Sequence, residues 1–219
     1  MLDLEKAQRM SLTMQVEVKL KSALIIGSLR PGSRLITKEI ADQLGTSITP
    51  VREALLRLVS CGALHATPAQ AFLVPEISLE RYEEIGQIRK QLEGMAVEAA
   101  MPRISRGQLA ALHQLYAQFR EAKQAGNVEE ALQANRHFRF QLYACAEMPT
   151  LTNLIEQLWV RIGPCLNTLY PQSQEFTQRN HCYDDLLKAL EEGDAAAGVK
   201  AIHGAIDDGT ALLKKQYFI

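Results

Sequence analysis

The stretch Thr49-Pro50-Val51-Arg52-Glu53-Ala54-Leu55 constrains this chain more than any other. Ser47 or Thr49 can cap a helix start, and proline suits a first helical turn because its missing N–H has no partner there anyway. Val51, Ala54, Leu55, Leu58 and Val59 follow at helical spacing and mark one buried face, with Thr49, Arg52 and Leu56 off it. Gly62 ends the run. Just upstream, Thr37 caps a short helix that closes at Gly45. A short helix, a tight turn with glycine, and a second helix opening on small polar and basic residues describe a helix-turn-helix. The second helix of such a pair lies in the major groove of DNA.

The flanks extend this unit. A helix is expected from Ser11 to Ile26, with Leu12, Val16, Leu20, Ala23 and Leu24 inward, and Gly27 with Pro31-Gly32 ends it. Leu35-Ile36 reads as a short extended piece. Leu64-His65-Ala66-Thr67, a Pro68-Ala69 turn and Gln70-Ala71-Phe72-Leu73-Val74 read as a β-hairpin. Residues 1–75 therefore form a winged helix. After a short linker, residues 76–219 read as six amphipathic helices in an antiparallel bundle. Ser78, Ser105, Thr150 and Asp194 serve as caps, Gly126 and Gly193 as stops, and Gly163-Pro164 as a kink. The fold class is mainly α: an N-terminal winged helix-turn-helix and a C-terminal all-α bundle.

The net charge of −1 alone argues against a nucleic-acid binder. Its distribution reverses that argument. Residues 1–75 carry nine Lys/Arg against six Asp/Glu, and residues 76–219 carry fifteen against nineteen. Only the face that meets phosphates must be positive. Cys61, Cys145, Cys165 and Cys182 are scattered without a C-x-x-C pattern, which fits a reducing cytoplasm rather than zinc or disulfide chemistry. No apolar run reaches membrane length and no signal peptide is evident, so no membrane partner is expected.

Residues 1–75 resemble the winged-helix domain of the GntR family of bacterial transcription regulators. The resemblance is carried by Pro31-Gly32-Ser33-Arg34-Leu35, by Glu39-Ile40-Ala41-Asp42-Gln43-Leu44-Gly45 and by the opening stretch, which continues as Arg57-Leu58 and Gly62-Ala63-Leu64. The body resembles the helical effector (FCD) domain of the FadR-type branch, in a shorter six-helix variant. It does so through Ile88-Arg89 with Leu92-Glu93, Phe138 with Leu142-Tyr143, and Leu187-Lys188-Ala189-Leu190-Glu191-Glu192-Gly193-Asp194. Val160-Arg161-Ile162-Gly163-Pro164 and Met10-Ser11-Leu12-Thr13 are similar to regulators of exopolysaccharide (colanic acid) and biofilm genes.

The resemblance implies a cytoplasmic homodimer, a palindromic double-stranded DNA operator, and a small effector that alters DNA affinity. It implies DNA-facing roles for Lys38, Ser47, Ile48, Thr49, Pro50, Arg52 and the wing residues Pro68, Ala69 and Gln70. Ile48 departs from the family's usual arginine, and the wing tip lacks the family's glycine or basic residues. Arg52 either reads a guanine edge or is a surface residue paired with Glu53 or Glu39. Lys38, Arg34 and Arg57 are either phosphate contacts or solvated side chains.

The same branch often holds a divalent metal with one aspartate and three histidines. Those positions fall on Asn135, Arg139, Tyr183 and Ala205, none of which keeps its ligand, so no metal cofactor is expected. His137, His181 and His203 each precede a lost position by two residues. That is about 200° of helical rotation, which turns them away from such a site. Arg139 shares a stripe with Leu132, Asn135 and Leu142. A buried arginine there needs a partner, either an anionic effector or an internal carboxylate such as Glu93 or Asp184. Arg89 and Arg161 are further effector candidates, and Tyr183 is either core or a hydrogen-bond donor to the effector. Two rival functions stand beside this reading. A bundle enzyme lacks paired carboxylates or a nucleophile with its base. A winged helix used for protein–protein contact differs from a DNA binder in its salt dependence.

Overall fold

The computed structural model of the chain describes residues 11–68, 71–166 and 182–216. The first unit is built from α1 (Leu12–Ile25), β1 (Arg34–Leu35), α2 (Thr37–Leu44), α3 (Ile48–Ser60), β2 (His65–Ala66) and β3 (Phe72–Leu73). The strands form one antiparallel sheet in the order β1-β3-β2, with Leu73 opposite Arg34 on one side and His65 on the other. The extended piece expected near Leu35 thus becomes the third strand of the wing sheet. Gly45 ends α2 at φ +62°, a left-handed conformation that suits glycine. That turn sets the angle between α2 and α3.

The second unit comprises α4 (Leu79–Ala100), α5 (Arg106–Gln124), α6 (Val128–Ala144) and α7 (Pro149–Leu166). It is completed by α8 (Cys182–Glu192) and α9 (Ala195–Gln216). Local signals set many of their starts. Ser78 accepts from Arg81 N–H, Asn127 from Glu130 N–H, and Ser105 with Gln108 makes a reciprocal capping box. Two expected caps shift. Ile36, not Thr37, occupies the position before α2, and Pro149 is the first residue of α7, so Thr150 lies inside the helix. The expected start of α8 near Ser173 lies outside the described residues. The bundle packs α4 on α9, α5 on α6 and α8 on α9, with α4 also touching α6 and α7.

Helix α1 departs from its expected stripe. Leu12 is 58% exposed, while Thr13 is buried and its hydroxyl donates to Glu53 of α3 at 2.8 Å. A polar residue facing inward is tolerated there because it meets a carboxylate. Helix α1 also lies against α7. A Cβ added to Gly163 would come within 2.3 Å of the Leu24 carbonyl oxygen and 2.5 Å of Ile25 Cα. Only a glycine allows that backbone approach. Lys21 adds an ion pair to Glu156 of α7 at 3.0 Å. The winged helix and the bundle are therefore packed against each other along α1 and α7.

Candidate nucleic-acid interface and buried charge cluster

Helix α3 has one face in the core, where Val51, Ala54, Leu55 and Leu58 are fully buried. The other face is open: Ser47, Ile48, Thr49, Arg52, Glu53, Leu56 and Arg57 are exposed, as are Lys38 on α2 and Arg34 on β1. Ser47 stands at the N-cap position but makes no side-chain capping bond. The first N–H groups of any helix lack intrahelical partners and carry partial positive charge, so this end of α3 suits an anion such as phosphate. Arg52, one turn along, has no carboxylate within ion-pair distance among the described residues. Glu53, one of its expected competitors, instead accepts from Thr13.

The geometry bears on two expected contacts, Pro50 and Arg57. Pro50 is buried, so it shapes the first turn of α3 from inside and has no free surface for DNA. Arg57 pairs with Glu17 of α1 at 3.1 Å. This salt bridge brackets α3 against α1 near the end remote from Ser47. Gln70 and Ala69 lie outside the described residues, whereas Pro68 is exposed and Thr67 closes the hairpin onto the Ala71 carbonyl.

In the bundle, the residues expected at the lost metal positions meet. Arg139 Nε donates to the Tyr183 hydroxyl, and that hydroxyl donates to Asn135 Oδ1. The donor set does not fit a divalent cation. The amide oxygen is already engaged, the guanidinium is permanently positive, and Ala205 brings no donor atom. Of the neighbouring histidines, His137 is exposed and His203 bonds the Lys90 carbonyl at 2.9 Å. His181 lies outside the described residues. Among the described residues no group of three His, Cys, Asp or Glu side chains is placed to hold a metal.

Arg139, 4% exposed, finds its internal partner in Glu93, which is fully buried, with Nη1 to Oε2 at 2.9 Å. Glu93 is shared. Arg89 Nε donates to its Oε1 at 2.7 Å, Trp159 Nε1 donates to the same oxygen at 2.8 Å, and the Tyr143 hydroxyl donates to Oε2. Arg89 also lies over the Trp159 ring, 4.8 Å from its centroid. Burial pushes the Glu93 carboxyl up. The guanidiniums of Arg89 and Arg139, and the hydrogen bonds from Tyr143 and Trp159, outweigh that and hold it below the usual carboxylate range. Asp184, the other carboxylate considered for Arg139, instead accepts from Tyr116 at 2.7 Å.

This cluster holds two guanidiniums and one carboxylate, so its own balance is +1. Among the described residues, the second terminal nitrogen of Arg139 and both terminal nitrogens of Arg89 have no hydrogen-bond partner. Arg161 does not join the cluster. Its Nε donates to the Cys61 carbonyl at 2.8 Å, at the end of α3, and its guanidinium lies against Gly62. Trp159 and Tyr143 were absent from the expected site. A tryptophan at helical spacing reads simply as core, and only the approach of α4 to α7 reveals its N–H partner.

Comparison with known proteins agrees in both halves. A family model for "Bacterial regulatory proteins, gntR family" matches residues 12–74, and one for the FCD domain matches residues 84–208. The chain is 45% identical over 214 residues to the HTH-type transcriptional regulator McbR of Escherichia coli strain K12, covering 97% of each. It superimposes on the solved structure of E. coli McbR/YncC with a TM-score of 0.91, over 95% of this chain and 100% of that one. A putative GntR regulator from Rhodococcus sp. RHA1, 20% identical, shares the fold at a TM-score of 0.75, over 95% of this chain and 100% of that one.

Proposed function

The chain belongs to the GntR family, in the branch with an FCD domain, and on that premise we propose that this regulator is a cytoplasmic homodimeric repressor whose grip on a palindromic operator is set by a small anionic effector. That it is a DNA-binding transcriptional regulator, not an enzyme, follows from the family. In the proposed division of labour, residues 1–75 bind DNA and residues 76–219 hold the effector and the dimer contact. Helix α3 enters the major groove with Ser47, Thr49 and Arg52 leading, and Lys38 and Arg34 meet phosphates. The likeness of Val160-Arg161-Ile162-Gly163-Pro164 to regulators of exopolysaccharide and biofilm genes makes those genes the first place to seek operators.

One observation carries the effector reading: two guanidiniums face one carboxylate, and among the described residues three of their terminal nitrogens, not fully closed off from the surface, lack partners. A carboxylate or phosphate bound beside Arg139 and Arg89 would balance the surplus charge and use those donors. Tyr183 and Asn135 lie next to Arg139 and would orient the ligand. The effector would compete for the groups that hold Glu93 and Trp159. Trp159 lies on α7, the helix that also grips α1 and the end of α3, so the winged helix would feel the change. Couplings of this kind are about 1–3 kcal/mol, or roughly 5- to 150-fold in DNA affinity.

Two measurements test the reading. Operator affinity should fall steeply and linearly in log–log terms with salt, because released counterions drive the binding; a flat salt series rejects DNA contact by this face. In a thermal-shift screen, organic acids, sugar acids or phosphorylated sugars should stabilise the parent and not Arg139→Gln. Stabilisation of both proteins alike removes Arg139 as the anchor, and a response to neutral compounds only removes the anionic effector.

A further inference from the structure

We propose that Ile48 is a sequence-reading residue, meeting the C5-methyl group of one thymine per half-site, about two base steps from the base read by Arg52. The inference rests on α3 being the helix that enters the major groove.

Ile48 is the first residue of α3 and is 51% exposed. A single exposed apolar side chain ordinarily needs no explanation. Here the location supplies one. The core face of α3 is already complete, with Val51, Ala54, Leu55 and Leu58 fully buried. Ile48 therefore has no place in the core. Its exposed neighbours Ser47, Thr49 and Arg52 are polar, so they offer no apolar cover. Isoleucine is also an indifferent helix starter, with no side-chain oxygen for a cap and a stiff β-branch. Helices of this kind meet base edges with their N-terminal residues, which separates Ile48 from Leu56, the other exposed apolar residue of α3.

Within the major groove, thymine alone among the four bases presents a methyl group. An isoleucine in contact with it gains apolar burial. Opposite cytosine the same side chain would lose that contact and cover an amino group that it cannot accept from. Selection therefore has an attractive and a repulsive part. Ile48 and Arg52 are four residues apart and share one stripe of the helix. Four residues rise about 6 Å along the axis, and base steps are about 3.4 Å apart. The thymine and the Arg52 base should thus be separated by about two steps.

The test begins with selection of duplexes from a random pool by the full-length protein. Each thymine of the best site is then replaced singly by deoxyuridine, which removes only the methyl. The expected result is one position per half-site where the parent weakens about fourfold, the factor for one methyl leaving apolar contact. Ile48→Ala should bind the thymine and uracil versions of that site equally. A uracil scan without any loss for the parent overturns the proposal. So does an Ile48→Ala protein that keeps the full loss, and Thr49→Ser then identifies whether the threonine methyl is the reader. Arg52→Ala separates the two levels. If it binds the selected site as the parent does, or if no site is enriched at all, the placing of α3 in the groove fails. If it loses the site while the uracil scan is flat, only the Ile48 assignment fails.

Discussion

Arg161 Nε donates to the carbonyl oxygen of Cys61 at 2.8 Å, and that one bond joins α7 of the bundle to the end of α3. The last carbonyls of a helix lack intrahelical partners and carry partial negative charge, so a guanidinium there satisfies both. Two residues earlier on the same helix, Trp159 donates to Glu93 in the buried cluster. Two residues correspond to about 200° of rotation. Helix α7 therefore presents its tryptophan to the bundle interior and its arginine to the winged helix.

Arg161→Met should keep the aliphatic stem and lose the bond. The expected cost is about 1.5 kcal/mol, the lower end for a hydrogen bond to a charged group, because Arg161 is only half-buried. Hydrogen exchange at Cys61, Gly62 and Ala63 should quicken while the Glu93 cluster stays protected. Unchanged exchange at the end of α3 would show that the bond does not hold the helix.

Gly163→Ala tests the packing of α1 on α7. The added methyl would overlap the backbone at Leu24 and Ile25, which cannot swing aside as a side chain would. Overpacking typically costs about 1–3 kcal/mol, and a backbone clash belongs at the upper end. The variant should relieve it by parting α1 from α7, read as faster proteolysis near residues 75–78 and a larger radius in solution. Parent-like behaviour in both would mean that the helices shift at little cost.

Much of this arrangement is legible in the sequence, because it is written locally. The buried face of α3, the αL turn at Gly45, and the caps at Ser78, Ser105 and Asp194 each depend on residues within one or two turns. What was not legible depends on which helix lies opposite. Arg161 reads as a candidate for an effector because periodicity marks a polar residue on an apolar helix but not its neighbour. Glu93 was a possible partner for Arg139, yet its sharing among Arg89, Tyr143 and Trp159 requires α4, α6 and α7 to converge. The orientation of Pro50 is hidden for a similar reason. A proline in a first turn satisfies the helix in either orientation, and only the packed head shows its ring turned inward.

Arg52→Ala should abolish specific operator binding while leaving the fold intact, since its side chain is exposed and carries no core packing. One bidentate arginine–guanine pair discriminates by about 1–3 kcal/mol. A titration against operator and scrambled duplexes should show the two affinities converging. Equal discrimination by parent and variant would remove Arg52 from the reading set.

The purified protein should carry no stoichiometric zinc, nickel or manganese. The reason is chemical: Asn135 Oδ1 is bonded to Tyr183, Arg139 is cationic, and Ala205 offers nothing. Elemental analysis giving about one tightly held metal per chain would place a different ligand set in the bundle.

The last expectation concerns acid. Glu93 has its pKa lowered in the folded protein, the pull of two guanidiniums and two hydrogen bonds exceeding the upward push of burial. A carboxylate lowered in this way stabilises the fold fully above its unfolded pKa, and that contribution is lost as pH falls through the folded value. Glu93→Gln removes the charge but keeps the shape, leaving Arg89 and Arg139 buried without a counter-charge. Breaking a buried pair costs about 3–5 kcal/mol, so the variant should be less stable than the parent by that amount at neutral pH. The difference should narrow only below about pH 4, where the unfolded carboxyl takes up its proton. Urea unfolding of both proteins from neutral pH down to about pH 3 reads the gap directly. A gap that stays constant to the acid limit would mean that the carboxylate charge contributes nothing and that only shape matters. A gap that closes already near pH 6 would place the Glu93 pKa above the usual range, with burial outweighing the arginines. If a carboxylate effector is present at saturation, the variant should gain more stability from it than the parent, because the added anion then replaces the missing charge.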